Sequence, residues 1–502
     1  MTRTWVRELT GWMLAVAVAL VTAAVVASSP RAELLFRDGD SLIVALLSRS
    51  VLSGQTLDWA MSSVLFLPET ALFSALRMLL PLGVDVLFAV SAVVGILALY
   101  GAIRLVAGRA GEGRAPVGWS VVAVAVVGLL ATTETSASRD ALELASLQLT
   151  TTYYSATVVA VVLSIGLARR VLDGSGRVVP LGVSLGAVAA LSTLTNPLYA
   201  AWFTAPFALL SLTFVVRRRA LRVLAVGLLS AALAGTGLGL LLRIPFAAWI
   251  ANTGAGYAQP SLWRESIGYY ADLAAQRLES PLGVLALLVG VAVLAVGVLR
   301  SIRADGPSSR MVALASWVFP LAVVVGAIAL GTHAARYLQP IVFLPALALV
   351  ASPRTLRLPA TVRRTVAVVA AVVALVLGAV SVPRLATAAS EASGDPDLAC
   401  VTDWVDASGR TGAGQFWTAR LPKLHLDDPA RLVQVDHRLN GYAWLVNRED
   451  FGVGEVTFLL EDAQSVPWEL PVSAVPDAVV DCGRWSILDF ASTPLPLGPA
   501  HS

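Results

Sequence analysis

Pro281-Leu-Gly-Val-Leu-Ala-Leu-Leu-Val-Gly-Val-Ala-Val-Leu-Ala-Val-Gly-Val-Leu299 is wholly uncharged and is followed at once by Arg300-Ser-Ile-Arg303. Its nineteen uncharged residues are enough for a helix to cross a bilayer core, at about 1.5 Å of rise per residue. A helix is the form expected there because hydrocarbon offers the backbone no outside hydrogen-bond partner. The arginines that follow mark the end left in water beside the cytoplasmic surface.

Working outward, the same pattern recurs. Candidate spans run roughly over 10–28, 83–107, 116–133, 152–169, 178–195, 198–216, 221–243, 281–299, 311–331, 338–352 and 365–383, eleven in all. A mean hydropathy of +0.76 fits a chain of this kind and excludes an ordinary soluble enzyme. Arginines precede the first span (Arg3, Arg7) and follow every even-numbered one: Arg104, Arg109 and Arg114; Arg169, Arg170 and Arg177; Arg217 to Arg219 and Arg222; Arg300, Arg303 and Arg310; Arg354, Arg357, Arg363 and Arg364. This predicts a multi-pass protein of the cell (plasma) membrane with its N-terminus and these loops in the cytoplasm. The first span reads as an anchor, since its apolar run is long for a signal peptide and the small-residue site at Ala27-Ser28-Ser29 is poor.

Charge divides the chain. Residues 1–383 carry 28 Arg against 16 Asp and Glu, a balance of +12, whereas residues 384–502 carry 8 basic against 17 acidic residues, a balance of −9. The basic excess sits in short loops between spans, which fits topology and not nucleic-acid binding. The only lysine is Lys423; with the Ala/Val/Leu/Gly excess this reads as the product of a high-GC bacterial gene. The expected organisation is an all-α membrane bundle over 1–383 and a small extracytoplasmic β-rich or α+β domain over 384–502. Alternating runs at Arg431–Asp436 and Glu455–Leu460 are the expected strands. Cys400 and Cys482, the only cysteines, bracket that domain and read as a disulfide.

The long arginine-poor connections, 29–82, 134–151 and 244–280, then face outward. In the first, Arg37-Asp38-Gly39-Asp40-Ser41 places two carboxylates one glycine apart near a membrane. Either could take a proton from a hydroxyl, and the pair could hold a divalent metal, Mg or Mn; the plain alternative is an Asp/Gly turn that stops a helix. Segments 41–51 and 69–80 carry apolar residues at helical spacing and read as interfacial helices, with Asp58, Trp59 and Met61 in a membrane-level turn between them. Glu69 opens the second of these helices. Loop 244–280 brings Trp249, Tyr257, Trp263, Tyr269 and Tyr270 to the level of an aromatic belt.

A second constellation is Thr332-His333-Ala-Ala-Arg336-Tyr337-Leu-Gln339-Pro340. On a helix His333 and Arg336 share a face, and an arginine there suits a lipid phosphate. Its plain alternative is a snorkelling arginine with an aromatic anchor. Arg264, Glu134, Tyr154 and Asn196 lie at the same outer level and could support either site. No Walker A sequence and no dinucleotide fingerprint is present.

In this layout the chain resembles the GT-C superfamily of membrane glycosyltransferases, and its actinobacterial members in particular. The resemblance rests on the first-loop acidic motif (Asp38, Asp40), the interfacial helices, the many spans, the outer C-terminal domain and Arg336-Tyr337-Leu-Gln-Pro340, which is similar to the Arg-Tyr-Leu-x-Pro segments near late spans in that superfamily. Two features depart from the superfamily pattern: the acidic motif is Asp-Gly-Asp where some branches have adjacent Asp-Glu, and no branch-specific acceptor motif is recognisable. The resemblance implies transfer of a sugar from a polyprenyl-phosphate carrier to a glycan, lipid or protein acceptor outside the cytoplasm. It implies Asp38 or Asp40 as the catalytic or metal-binding group. The competing readings are a lipid or polysaccharide transporter or flippase, an envelope polysaccharide polymerase or ligase, and an inactive membrane scaffold.

Overall fold

A computed structural model describes residues 2–174, 177–217, 221–304, 306–355, 359–470 and 474–502. Arg218, Arg219 and Arg357 of the expected cytoplasmic clusters lie outside the described residues. The chain divides into two compact units.

The first unit comprises Met1–Ala32, Ala89–Ile244 and Ala255–Ala386 and is helical. Among the described residues eight helices of the chain are long and apolar enough to cross a membrane, against the eleven expected. The other three are shorter. Pro116–Thr132 has 17 residues, Ala200–Thr213 opens as a π-helix over Ala200–Thr204, and Ala335–Ala351 is broken by Pro340 and Pro345. A proline lacks the N–H that an uninterrupted helix needs, which accounts for the breaks in the last of these. The final helix differs in the opposite direction. It runs over Ala360–Ser393, straight through Pro383, past the expected boundary at 383.

The ends of the spans follow from local chemistry. Pro281 and Pro307 occupy first-turn positions, where a missing N–H costs nothing, and Ser280 accepts the Gly283 N–H at 2.9 Å. The arginines that marked topology also cap helices. Arg300 donates to the carbonyls of Ala348 and Leu349 at 2.8 Å, and buried Arg169 donates to those of Val106 (2.5 Å) and Val350 (2.9 Å). Orphan carbonyls at helix C-termini are thereby satisfied in a region poor in water. Val178–Thr195 packs on Arg222–Leu242 through small residues. A Cβ at Gly235 would lie 2.2 Å from the Gly186 carbonyl oxygen, so the backbones touch there and only glycine fits.

The second unit comprises Glu33–Phe88, Pro245–Gly254 and Thr387–Ser502. Its centre is a mixed seven-stranded sheet in the spatial order Gly498–His501, Asn440–Tyr442, Leu432–Val435, Gly412–Gln415, Phe458–Glu461, Trp485–Asp489 and Ala478–Cys482. Leu432–Val435 and Phe458–Glu461 both run parallel to the central Gly412–Gln415, and the remaining main pairs are antiparallel apart from the edge pair Gly498–His501 with Asn440–Tyr442. Helices Pro396–Ser408 and Phe416–His425 pack on the sheet, and a separate core of Ala413, Val433, Val435, Leu459 and Phe490 closes with Phe451, Trp468 and Leu470. The first-loop helices form as expected over Ile43–Leu52 and Leu67–Leu79, and Ser74 Oγ meets Ser48 Oγ at 2.9 Å. The segment between them is not a turn. Trp59–Ala60 is a strand paired with Val446–Asn447, and Met61 bridges to Ile250, because the backbone groups of an extended loop find partners in neighbouring extended segments.

Cys400 and Cys482 form a disulfide spanning 82 residues, from the Pro396–Ser408 helix to an edge strand. Closing so long a loop restricts the unfolded chain. Replacing both cysteines with serine is expected to lower the stability of this unit by about 2–4 kcal/mol, read as a lower unfolding midpoint that reductant no longer changes.

Candidate active site

The Asp-Gly-Asp motif lies in the second unit at the end of a π-turn. Glu33–Arg37 is π-helical, and the Asp38 N–H donates to the Glu33 carbonyl at 2.8 Å. The turn is then held from both sides: Ser41 N–H reaches the Asp38 carbonyl at 2.8 Å and Ser41 Oγ the Leu34 carbonyl at 2.6 Å. Arg37 points away from the motif and pairs with Asp395 at 2.8 Å. Isolated π-turns recur at functional sites because they re-aim the residues that follow. Here they aim Asp38, 9% exposed, and the half-buried Asp40. Gly39 is required by space. A Cβ on it would sit 3.1 Å from Trp417 Cε3 and 3.2 Å from Phe416 Cε1.

The helix Phe416–His425 supplies the group that the sequence reading missed. Arg420 is completely buried. Its Nε donates to the Gly39 carbonyl at 3.3 Å, its Nη1 to the Leu445 carbonyl at 2.5 Å, and its guanidinium lies 5.4 Å from the Phe416 ring centre. Burial pushes its pKa down to about 10, against the opposing pull of Asp40, Asp450 and Asp38 in that order. It therefore stays charged at neutral pH and compensates the acidic pair. One turn on, Lys423 pairs with Asp450 at 2.9 Å and donates to the Pro429 and Leu432 carbonyls at 2.7 and 2.8 Å.

The first unit holds the second constellation. Arg336 lies on a short 3-10 helix, Ala335–Leu338, and reaches Tyr154 Oη at 3.3 Å and Asp140 at 3.3 Å. Its guanidinium lies 5.7 Å from the Tyr337 ring centre. Tyr154, in a left-handed conformation, packs edge-on against Trp202, whose indole N–H donates to the Tyr337 carbonyl at 3.0 Å. His333 does not share a helix face with Arg336. Gly331 at φ 62° turns the chain and Ala334 is extended, so His333 precedes the helix and sits 5.3 Å from the Tyr269 ring.

The supporting residues fall in several places. Arg264 lies over Trp263. Asn196 donates to Thr157 Oγ1 at 3.0 Å and accepts from the Leu198 N–H. Glu69 is buried in the first turn of Leu67–Leu79. Glu134 accepts the Ala145 and Ser146 N–H groups at 2.7 and 2.8 Å and faces buried Arg31 at 3.9 Å. Burial raises its pKa, with Arg31 pulling the other way. Arg31 itself donates to Ser136, Ser138, Glu143 and Ser146, another buried arginine beside Arg169 and Arg420, and this one orders a loop.

Among the described residues no group of three or more His, Cys, Asp and Glu side chains is arranged for a metal ion. Asp38 and Asp40 could supply at most two carboxylate ligands to a divalent cation, whose other positions would fall to water or substrate, and the positive charge of Arg420 acts on both carboxylates.

No family model matches the chain, and no curated protein matches it. Among solved structures it is similar to the crystal structure of ArnT from Cupriavidus metallidurans bound to undecaprenyl phosphate, at 15% sequence identity and a TM-score of 0.48, over 98% of this chain and 99% of that one.

Proposed function

We propose that the chain is an inverting membrane glycosyltransferase that moves a sugar from a polyprenyl-phosphate carrier to an acceptor hydroxyl on the extracytoplasmic face. The observation that carries this reading is the Asp38-Gly39-Asp40 turn, aimed by a π-turn and clamped by a fully buried arginine. Burying a charge costs several kcal/mol unless its partners are in place, and here those partners are the carbonyl between the two aspartates and the charges of the aspartates themselves. In the reaction the acceptor oxygen attacks the anomeric carbon. The bond from that carbon to the phosphate oxygen breaks, with both electrons leaving on phosphate. One aspartate takes the hydroxyl proton.

Arg336 is assigned to the lipid phosphate, where a preorganised guanidinium stabilises the charge that develops on the leaving group. His333, Tyr337 and Arg264 are assigned to the same donor. The first unit also holds an apolar cavity of about 450 Å³, lined among others by Leu130, Leu287, Val291, Leu294, Trp317 and Val324, which suits an isoprenoid chain. The outward orientation rests on the arginine clusters of the sequence. No step is routed through a metal.

The test uses purified protein in lipid nanodiscs with a polyprenyl-phosphate sugar and an envelope glycan acceptor. Arg336→Ala is expected to raise the donor KM at least about tenfold, and Arg336→Lys to recover part of that loss. EDTA is expected to leave the rate within about twofold; a loss that Mg restores would assign a metal to Asp38 and Asp40 instead. Movement of the lipid in proteoliposomes without acceptor, with no glycosylated product, would make the chain a transporter.

A further inference from the structure

A polar cavity of about 290 Å³ lies wholly within the second unit, lined from 46–59, 423–430 and 447–450. We propose that it is a saccharide site that takes an uncharged, polyhydroxylated sugar ring, the terminal residue of the acceptor. It rests on the transfer reading above only in calling that sugar the acceptor.

The first observation is an unpartnered donor. Trp59 lines the cavity and is 3% exposed, yet its indole N–H has no hydrogen-bond partner among the described residues. A buried donor left unmade costs roughly 1–3 kcal/mol, so a ligand oxygen that accepts from it binds with advantage. The second observation is the charge of the lining. Arg49 and Lys423 are balanced by Glu449 and Asp450, and Lys423 is already paired with Asp450 at 2.9 Å. An anion would meet Glu449 and a cation would meet Arg49. A sugar hydroxyl, donor and acceptor at once, suits both.

The remaining polar groups are fixed in advance. Asn447 donates to the Thr56 carbonyl at 2.8 Å and accepts from the Glu449 N–H at 3.3 Å; Ser50 Oγ meets Gln55 Oε1 at 2.8 Å; Arg49 is held by the Leu426 carbonyl at 2.7 Å. Leu46, Trp59, Pro429 and Ala430 give an apolar wall for the C–H face of a ring. The volume is at the lower end of small-molecule sites, as one sugar residue requires. The cavity also connects to the acidic motif through charge. Asp450, which holds Lys423 at its edge, is the second-strongest partner of Arg420 after Asp40.

Saturation-transfer-difference NMR on the full-length protein in detergent, with methyl glycosides of mannopyranose, glucopyranose, galactofuranose and arabinofuranose as probes, tests the site. The expected result is transfer to ring protons of at least one glycoside. Trp59→Phe should weaken that binding about fivefold or more, Glu449→Gln should weaken it too, and sodium phosphate should not compete. Silence across the panel, wild-type binding in both variants, or displacement by phosphate overturns the proposal. Asp38→Asn/Asp40→Asn protein should bind the glycoside as wild type does. If that variant keeps full transfer, the transfer reading fails while the sugar site stands. If no glycoside binds while the aspartates prove essential, the sugar site alone fails.

Discussion

Asparagine at both Asp38 and Asp40 is expected to lower kcat for glycosyl transfer by at least about a thousandfold, with little change in the KM for the lipid donor. General-base catalysis contributes about a hundredfold to ten-thousandfold, and the amide keeps the size of the carboxylate while removing its basicity. The single variants should separate. Asp40 is the more accessible of the two and the strongest charge acting on Arg420, whereas Asp38 is nearly buried with its N–H and carbonyl both used in the turn. Asp40→Asn is therefore expected to carry most of the kcat loss and Asp38→Asn a smaller share. Steady-state rates with a defined lipid-linked sugar, beside an unfolding midpoint for each variant, decide it. Full activity in the double variant would remove the proposed base and with it the transfer mechanism.

Much of the architecture is legible in the sequence because hydropathy is additive along a helix. All eleven apolar stretches are helical; of the three that fall short of a full span, two are interrupted by proline or a π-turn, at Pro340, Pro345 and Ala200–Thr204, and Pro116–Thr132 is continuous but short. Cys400 and Cys482 could be paired by elimination. What the sequence hides is partnership between distant segments. Nothing near Trp59 announces a strand, since its partner is Val446–Asn447, almost four hundred residues on. Nothing near Arg420 announces a site either. It is one arginine among thirty-five, in a ten-residue helix, and its role comes from the carbonyl of Gly39. The pairing of His333 with Arg336 failed for a local reason: three-residue spacing brings side chains together only on a continuous helix, and Gly331 and the extended Ala334 prevent one.

Arg420 carries the other large expected effect. Arg420→Ala removes the buried charge that acts on Asp40, Asp450 and Asp38, leaving Lys423 of the same helix on Asp450 alone, and leaves the Gly39 and Leu445 carbonyls without their donor. Buried acceptors left without their donor cost about 1–3 kcal/mol each, so this variant should unfold early or fail to accumulate. Loss of fold would not by itself separate structure from function. Arg420→Lys does so. It keeps the charge but lacks the fork that spans two carbonyls from one planar group. The lysine variant should fold, with kcat lowered about tenfold or more and donor KM little changed, because Gly39 is no longer held and the aspartates lose their aim. The pH profile adds a readout that a purely structural role would not move. A carboxylate whose neighbouring positive charge is weakened or moved away is protonated more easily, so its pKa rises. The acid limb of kcat/KM in Arg420→Lys should therefore shift to higher pH. Asp450→Asn, which removes a competitor for the same guanidinium without touching the acidic turn, should shift that limb to lower pH. An unmoved limb in both variants would leave Arg420 as a structural strut and place the control of the aspartates elsewhere.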